Sequence, residues 1–198
     1  KVNIYFYSKN DQDKLIGNAE LEKIENGVWQ LVLETEDMVE GLDLEGAYYQ
    51  YGVVMNGEEN MVLDPYAKSM AAFKNSSEDI AGKAAIVDPT KYKVNGYANI
   101  SNFKKREDAI IYEIHVRDFT SDPDLETEAQ FGTYKAFIEK LDHIKDLGAT
   151  HVQLLPVMNY YYGNELKNSE RELEYSAKGN NYNWGYDPHS YFSPEGMY

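Results

Sequence analysis

AIIYEIHVRDF, residues 109 to 119, is almost unbroken in apolar side chains until its charged end. A run of that kind suits a strand covered on both faces. Strand alternation places Tyr112, Ile114 and Val116 on one side and Glu113, His115 and Arg117 on the other. A polar loop, TSDPDLETEAQFG, separates it from TYKAFIEKLDHIKDLG at 133–148. There Phe137, Ile138, Leu141, Ile144 and Leu147 recur at helical spacing. Thr133 stands at the N-cap position, and Gly148 stands where a helix end takes a left-handed residue. THVQLLPVM at 150–158 is a second buried strand. Strand, helix, strand is a βαβ unit with parallel strands. A doubly wound sheet would lay helices over Glu113, His115 and Arg117, whereas a barrel interior accepts polar side chains. The expectation is therefore the first βαβ portion of a (β/α)8 TIM barrel over 106–198.

Upstream the grammar differs. KVNIYFYS alternates as a strand and NDQDK interrupts it. GVWQLVLE is expected to be a strand with Trp29, Leu31 and Leu33 on a buried face. GAYYQYGVVM follows, closed by a turn at Asn56-Gly57. VLDPYAKSMA and KAAIVDP each carry an Asp-Pro step, which favours extended backbone. Short strands at this spacing predict an all-β, immunoglobulin-like sandwich over 1–105. The basic step at Phe103 to Arg106 marks the boundary, so the chain reads as multidomain.

A net charge of −15 argues against nucleic acid, since a phosphate backbone would be repelled. No run reaches the roughly 18 apolar residues of a membrane span. Cysteine is absent, which removes disulfides and thiolate chemistry. The opening KVNIYFYSKN lacks the apolar core of a signal peptide, so a mature or trimmed start is expected. From Val157 onward little regular structure is expected beyond a short helix in NELKNSERELEYSAK. Loops longer than about 12 to 15 residues are commonly functional or disordered. The tyrosines and the tryptophan here argue against disorder. A loop leaving the C-terminal end of a barrel strand lies on the active-site face, so 182–198 should line a cleft.

YNWGYDP at 182–188, followed by Tyr191 and Pro194-Glu195-Gly196, resembles the signature of type I pullulanases. These are debranching enzymes of the α-amylase superfamily, glycoside hydrolase family 13. IYEIHVRDF and GATHVQLLPV resemble their first two barrel strands. GVWQLVL, YYQYGV and VLDPYAKSMA resemble the family 48 carbohydrate-binding module that precedes the barrel, here begun without its usual first strand. The resemblance implies hydrolysis of α-1,6-glucosidic bonds in pullulan, amylopectin or glycogen-derived dextrins. It matches Tyr186 to the tyrosine that stacks beneath the sugar. With the loop's position, it makes Tyr186, Trp184, Asp187 and His189 the candidate substrate-binding residues. Gly185 would allow the tight turn before Tyr186. The implied partners are an α-glucan polysaccharide or oligosaccharide and the remainder of the catalytic barrel, either in one chain or as a separate one.

A retaining glycosidase needs two carboxylates about 5 to 5.5 Å apart. In this superfamily the resemblance puts them on the fourth and fifth barrel strands, beyond the two strands present here. No stretch resembles DVVYNH, and Glu113, Asp118 and Asp187 match no catalytic motif. The catalytic residues are expected outside this chain, which alone should be inactive. Inward alternation on adjacent strands would bring His115 and His151 together, but two histidines make a weak metal case and satisfied hydrogen bonding is the better reading. No cofactor is called for, and nothing in the sequence indicates calcium. Lack of cysteine and a polysaccharide substrate point to an extracellular or cell-surface setting, with a cytoplasmic one as the alternative. An isoamylase or branching-type relative, or a non-catalytic α-glucan-binding protein, are the competing readings of function.

Overall fold

The computed structural model describes residues 1–33, 44–74, 79–97, 99–101, 103–169 and 183–198. The described residues are β-rich with two short α-helices, and the chain divides into two compact units. The first holds 1–92 with 190–193, and the second holds 93–189 with 194–198.

The first unit is built on an antiparallel sheet of β1 (Val2–Ser8), β2 (Asp11–Glu20), β5 (Tyr48–Met55), β6 (Glu58–Val62) and β7 (Ala84–Ala85). A separate ribbon pairs β3 (Glu22–Lys23) with β4 (Trp29–Gln30). β5 is central, with β1 on one side and β6 and β7 on the other. The β5–β6 hairpin closes at Asn56 (φ 54°) and Gly57 (φ 86°), the left-handed pair that a two-residue hairpin turn requires. The NDQDK segment does not end the first strand region. β2 starts at Asp11, because an edge strand needs only backbone pairing and its charged side chains face water.

The GVWQLVLE strand is shorter than expected. Only Trp29 and Gln30 are in a strand, Val28, Val32 and Leu33 are exposed, and Glu34 lies outside the described residues. Trp29 is half-buried, with the Lys23 ammonium 5.9 Å from its ring centre. The buried centre of the unit is polar in part. The Gln50 amide donates to the carbonyl of Gly82 (2.6 Å) and Lys83 pairs with Asp79 (2.6 Å). Buried polar groups of this kind persist because they are hydrogen-bonded.

In the second unit β8 (Ile111–Ile114) lies parallel to β9 (His151–Leu154), with Ile111 opposite His151 and Ile114 opposite Leu154. Between them run α1 (Tyr134–Glu139) and α2 (Leu141–Asp146), completing the βαβ unit. Thr133 caps α1, its hydroxyl accepting the Ala136 N–H at 3.3 Å, and Gly148 has φ 80°. The single helix expected over 133–148 is broken at Lys140 (φ −105°, ψ 7°). The loop before α1 is bonded to both residues at the break. The Glu139 carboxylate accepts the N–H groups of Glu128 and Ala129, and the Lys140 ammonium donates to the Glu126 carbonyl.

β8 is also shorter than AIIYEIHVRDF suggests. The chain leaves the strand after Ile114, and His115, Val116 and Arg117 are all buried, so alternation ends there. A 3-10 turn follows at Asp118–Thr120. The core joins Ile114, Val116, Phe137, Ile144, Tyr160, Met197 and Tyr198. Two further strands, β10 (Met158–Tyr160) and β11 (Pro188–Pro194), pair with each other. Of the helix expected in NELKNSERELEYSAK, a 3-10 turn at Glu165–Lys167 is present, and residues 170–178 lie outside the described ones.

Candidate functional site

The NWGYDP segment forms a turn held from both ends. The Asn183 side-chain oxygen accepts the Gly185 N–H at 2.8 Å. Gly185 has φ +85°, and a Cβ there would stand 2.9 Å from the Pro156 carbonyl oxygen. Both its left-handed backbone and its close approach demand glycine. On either side, Trp184 and Tyr186 project outward, 57% and 67% exposed. Tyr182, the first residue of the YNWGYDP motif, lies outside the described residues.

The turn is stitched to the loop after β10. The Tyr161 N–H donates to the Asp187 carbonyl (2.9 Å), and the Tyr162 N–H donates to the Asp187 carboxylate (2.9 Å). The Asn183 amide donates to the Tyr162 carbonyl, also at 2.9 Å. Asp187, expected to meet sugar, thus has one carboxylate oxygen committed to backbone. His189 is half-buried, with its ring 5.3 Å from that of Tyr161.

Beneath the turn lies His115. Its Nδ1 accepts the Asp118 N–H (3.3 Å), so the ring proton sits on Nε2, where it faces the Asn183 carbonyl at 3.1 Å. The Tyr198 hydroxyl is 3.0 Å from the same nitrogen. Burial lowers the pKa of His115 against the opposing pull of Asp118, which favours the neutral ring. Burial likewise pushes the Tyr198 hydroxyl well above its ordinary value, with Tyr160 adding to the effect.

His115 and His151 do not meet. His151 stands opposite Ile111, four positions from His115, or roughly 13 Å along a strand. It bonds Thr150 at 2.8 Å instead. Glu113 is exposed and accepts from Gln153, and Asp118 turns toward His115. Among the described residues no three metal-binding side chains cluster, and no helix is long and apolar enough to cross a membrane.

The four candidates Trp184, Tyr186, Asp187 and His189 fall in one segment of the sequence, and the structure keeps them along one turn and the start of β11. Asn183 and Tyr162, not among these candidates, also hold the turn. The Asn-x-Gly spacing signals the side-chain turn at Asn183. Nothing local singles out Tyr162 within Tyr160-Tyr161-Tyr162.

No family model matches the chain. Pullulanase A of Streptococcus pneumoniae is 51% identical over 207 aligned residues, covering all of this chain and 16% of that protein. The pullulanase of Bacillus subtilis is 31% identical over 90% of this chain and 23% of its own length. Among solved structures, the catalytic module of the glycogen-degrading pneumococcal virulence factor SpuA superposes with a TM-score of 0.91 at 51% identity, over the whole chain and 29% of the module. Pullulanase SAP of Group B Streptococcus, solved with maltotetraose, gives 0.89 at 45% identity, over the whole chain and 26% of its own. The chain thus spans less than a third of these relatives. Matched along its entire length at this identity, it is a homologue of the pullulanases and corresponds to one segment of them.

Proposed function

We propose that this chain is part of a debranching glycoside hydrolase that cleaves α-1,6-glucosidic bonds in pullulan, amylopectin or glycogen-derived dextrins. The observation that carries the reading is the NWGYDP turn, which presents Trp184 and Tyr186 to solvent on a backbone only glycine permits. A flat aromatic face packs on the apolar C–H face of a pyranose, and the phenol tip reaches hydroxyls. The pullulanase relatives support the same assignment. In this reading, residues 1–105 are a carbohydrate-binding-module-like, immunoglobulin-like β-sandwich. Residues 106–198 open a (β/α)8 barrel whose remaining strands bring the catalytic carboxylates. Tyr186, Trp184, Asp187 and His189 line the glucan cleft, with Asp187 also holding the loop that carries Tyr162. An extracellular or cell-surface setting fits a polysaccharide too large to cross a membrane.

Tyr186→Ala in the full-length protein tests the reading. The expected result is a loss of kcat/KM on pullulan of at least ~10-fold, equivalent to about 1.4 kcal/mol, at unchanged melting temperature. Unchanged kinetics, or a stability loss that accounts for the defect, would remove Tyr186 from the site. The 198-residue chain alone is expected to release no reducing sugar.

A further inference from the structure

We infer that Tyr162 is a further glucan-contacting residue, forming one aromatic surface with Trp184 and Tyr186; this rests on the function proposed above. Its main chain is bonded at both ends of the turn that bears those rings. The N–H goes to the Asp187 carboxylate, and the carbonyl takes the Asn183 amide. Residues 183 and 187 bracket the Trp184-Gly185-Tyr186 segment, so the Tyr162 backbone runs alongside it. The ring itself is 67% exposed, against 2% for Tyr160 two positions earlier. Tyr160 serves the core and Tyr162 does not.

The ring is also directed. It meets Tyr161 edge to face, with centres 5.1 Å apart and planes at 90°, and Tyr161 in turn lies against His189. One face of such an edge-on ring stays open to a ligand. The backbone bonds fix the position of the residue before any sugar arrives, which limits the ordering cost of binding. The ligand class is an α-glucan chain, recognised by stacking on sugar C–H faces. Asp187 acts here as a positioning residue, through the N–H it accepts.

The test compares Tyr162→Ala, Tyr162→Phe and Tyr186→Ala in the full-length protein. Tyr162→Ala should raise KM for branched oligosaccharides ~3- to 10-fold, with kcat within ~2-fold and the melting temperature unchanged. Tyr162→Phe, which keeps the ring face, should stay near the parent. If Tyr162→Ala leaves KM unchanged while Tyr186→Ala is impaired, the inference on Tyr162 fails and the proposed function stands. If neither variant changes, both readings fail. If Tyr162→Ala does not fold, Tyr162→Trp takes its place. Its emission should shift on adding maltotetraose beyond any shift of the parent protein, and no additional shift overturns the inference.

Discussion

Glu195 is an acidic side chain whose surroundings favour its neutral form. It is buried, its two oxygens accept the N–H groups of Met197 and Tyr160, and the Glu165 carboxyl shares the space around the Asn159 amide. Burial, then repulsion from Glu165, pushes its pKa up to about 8, against the downward pull of the two N–H groups. The ordinary value is 4.5, so between pH 4.5 and about 8 the folded state holds a proton that the unfolded state has lost. Stability is then greatest below pH 4.5 and falls as pH rises through about 8. In the full-length protein, Glu195→Gln should flatten the decline of melting temperature from pH 5 to pH 8. It should also lower the value at pH 5, because an amide has only one oxygen for two N–H donors. An equally steep decline in the variant would assign the pH dependence elsewhere. None of this is legible in SPEG as a string, since it depends on Asn159 of β10 and Glu165 of the turn after it, both more than 25 positions away. Gly185 is the opposite case, where the turn requirement was readable locally. Gly185→Ala would need both a positive φ and room occupied by the Pro156 carbonyl. A cost of roughly 1–3 kcal/mol is expected, seen as lost activity on pullulan before any loss of fold.

The elements were legible where their signals are local and obscure where partners are remote. The cap at Thr133 and the stop at Gly148 depend on residues next to the helix, and both are present. The break at Lys140 falls where loop residues 126–129 are bonded to Glu139 and Lys140, contacts that helical periodicity does not report. Removing that grip is a direct test. Glu139→Ala takes the acceptor from the Glu128 and Ala129 N–H groups, so amide exchange at those two positions should accelerate more than at Phe137 or Ile144. Equal exchange in variant and parent would mean the carboxylate does not hold the loop. The strand β2 was hidden for a different reason. Asp11 pairs with Ser8, and the register then jumps to Leu15 opposite Tyr7, so the residues between lie in an irregularity that shows no apolar alternation. The early end of β8 was hidden likewise, since alternation predicts which way a side chain points but not where the backbone turns away.

At the scale of the whole molecule, the second unit leaves apolar surface exposed, which the remaining strands of the proposed barrel would cover. Ile110, Ile111, Ile138 and Leu147 are each more than half exposed, and the parallel pair β8–β9 is a two-stranded sheet. Two strands are marginal in isolation. The isolated 198-residue chain is therefore expected to show fast amide exchange in 111–114 and 151–154. The full-length protein should protect both. Slow exchange with cooperative unfolding in the isolated chain would show that the unit is self-sufficient. The Tyr134 N–H donates to the Tyr198 carbonyl at 2.6 Å, so the first turn of α1 is completed by a residue 64 positions later (198 − 134). On a ribosome adding about 5–20 residues per second, that acceptor is made roughly 3 to 13 s after its donor. For that interval the start of α1 exists without the group that satisfies it, and Tyr198 also brings the hydroxyl that meets His115. The βαβ segment is thus translated first, while its helix start and its buried histidine each gain one partner only when Tyr198 is made.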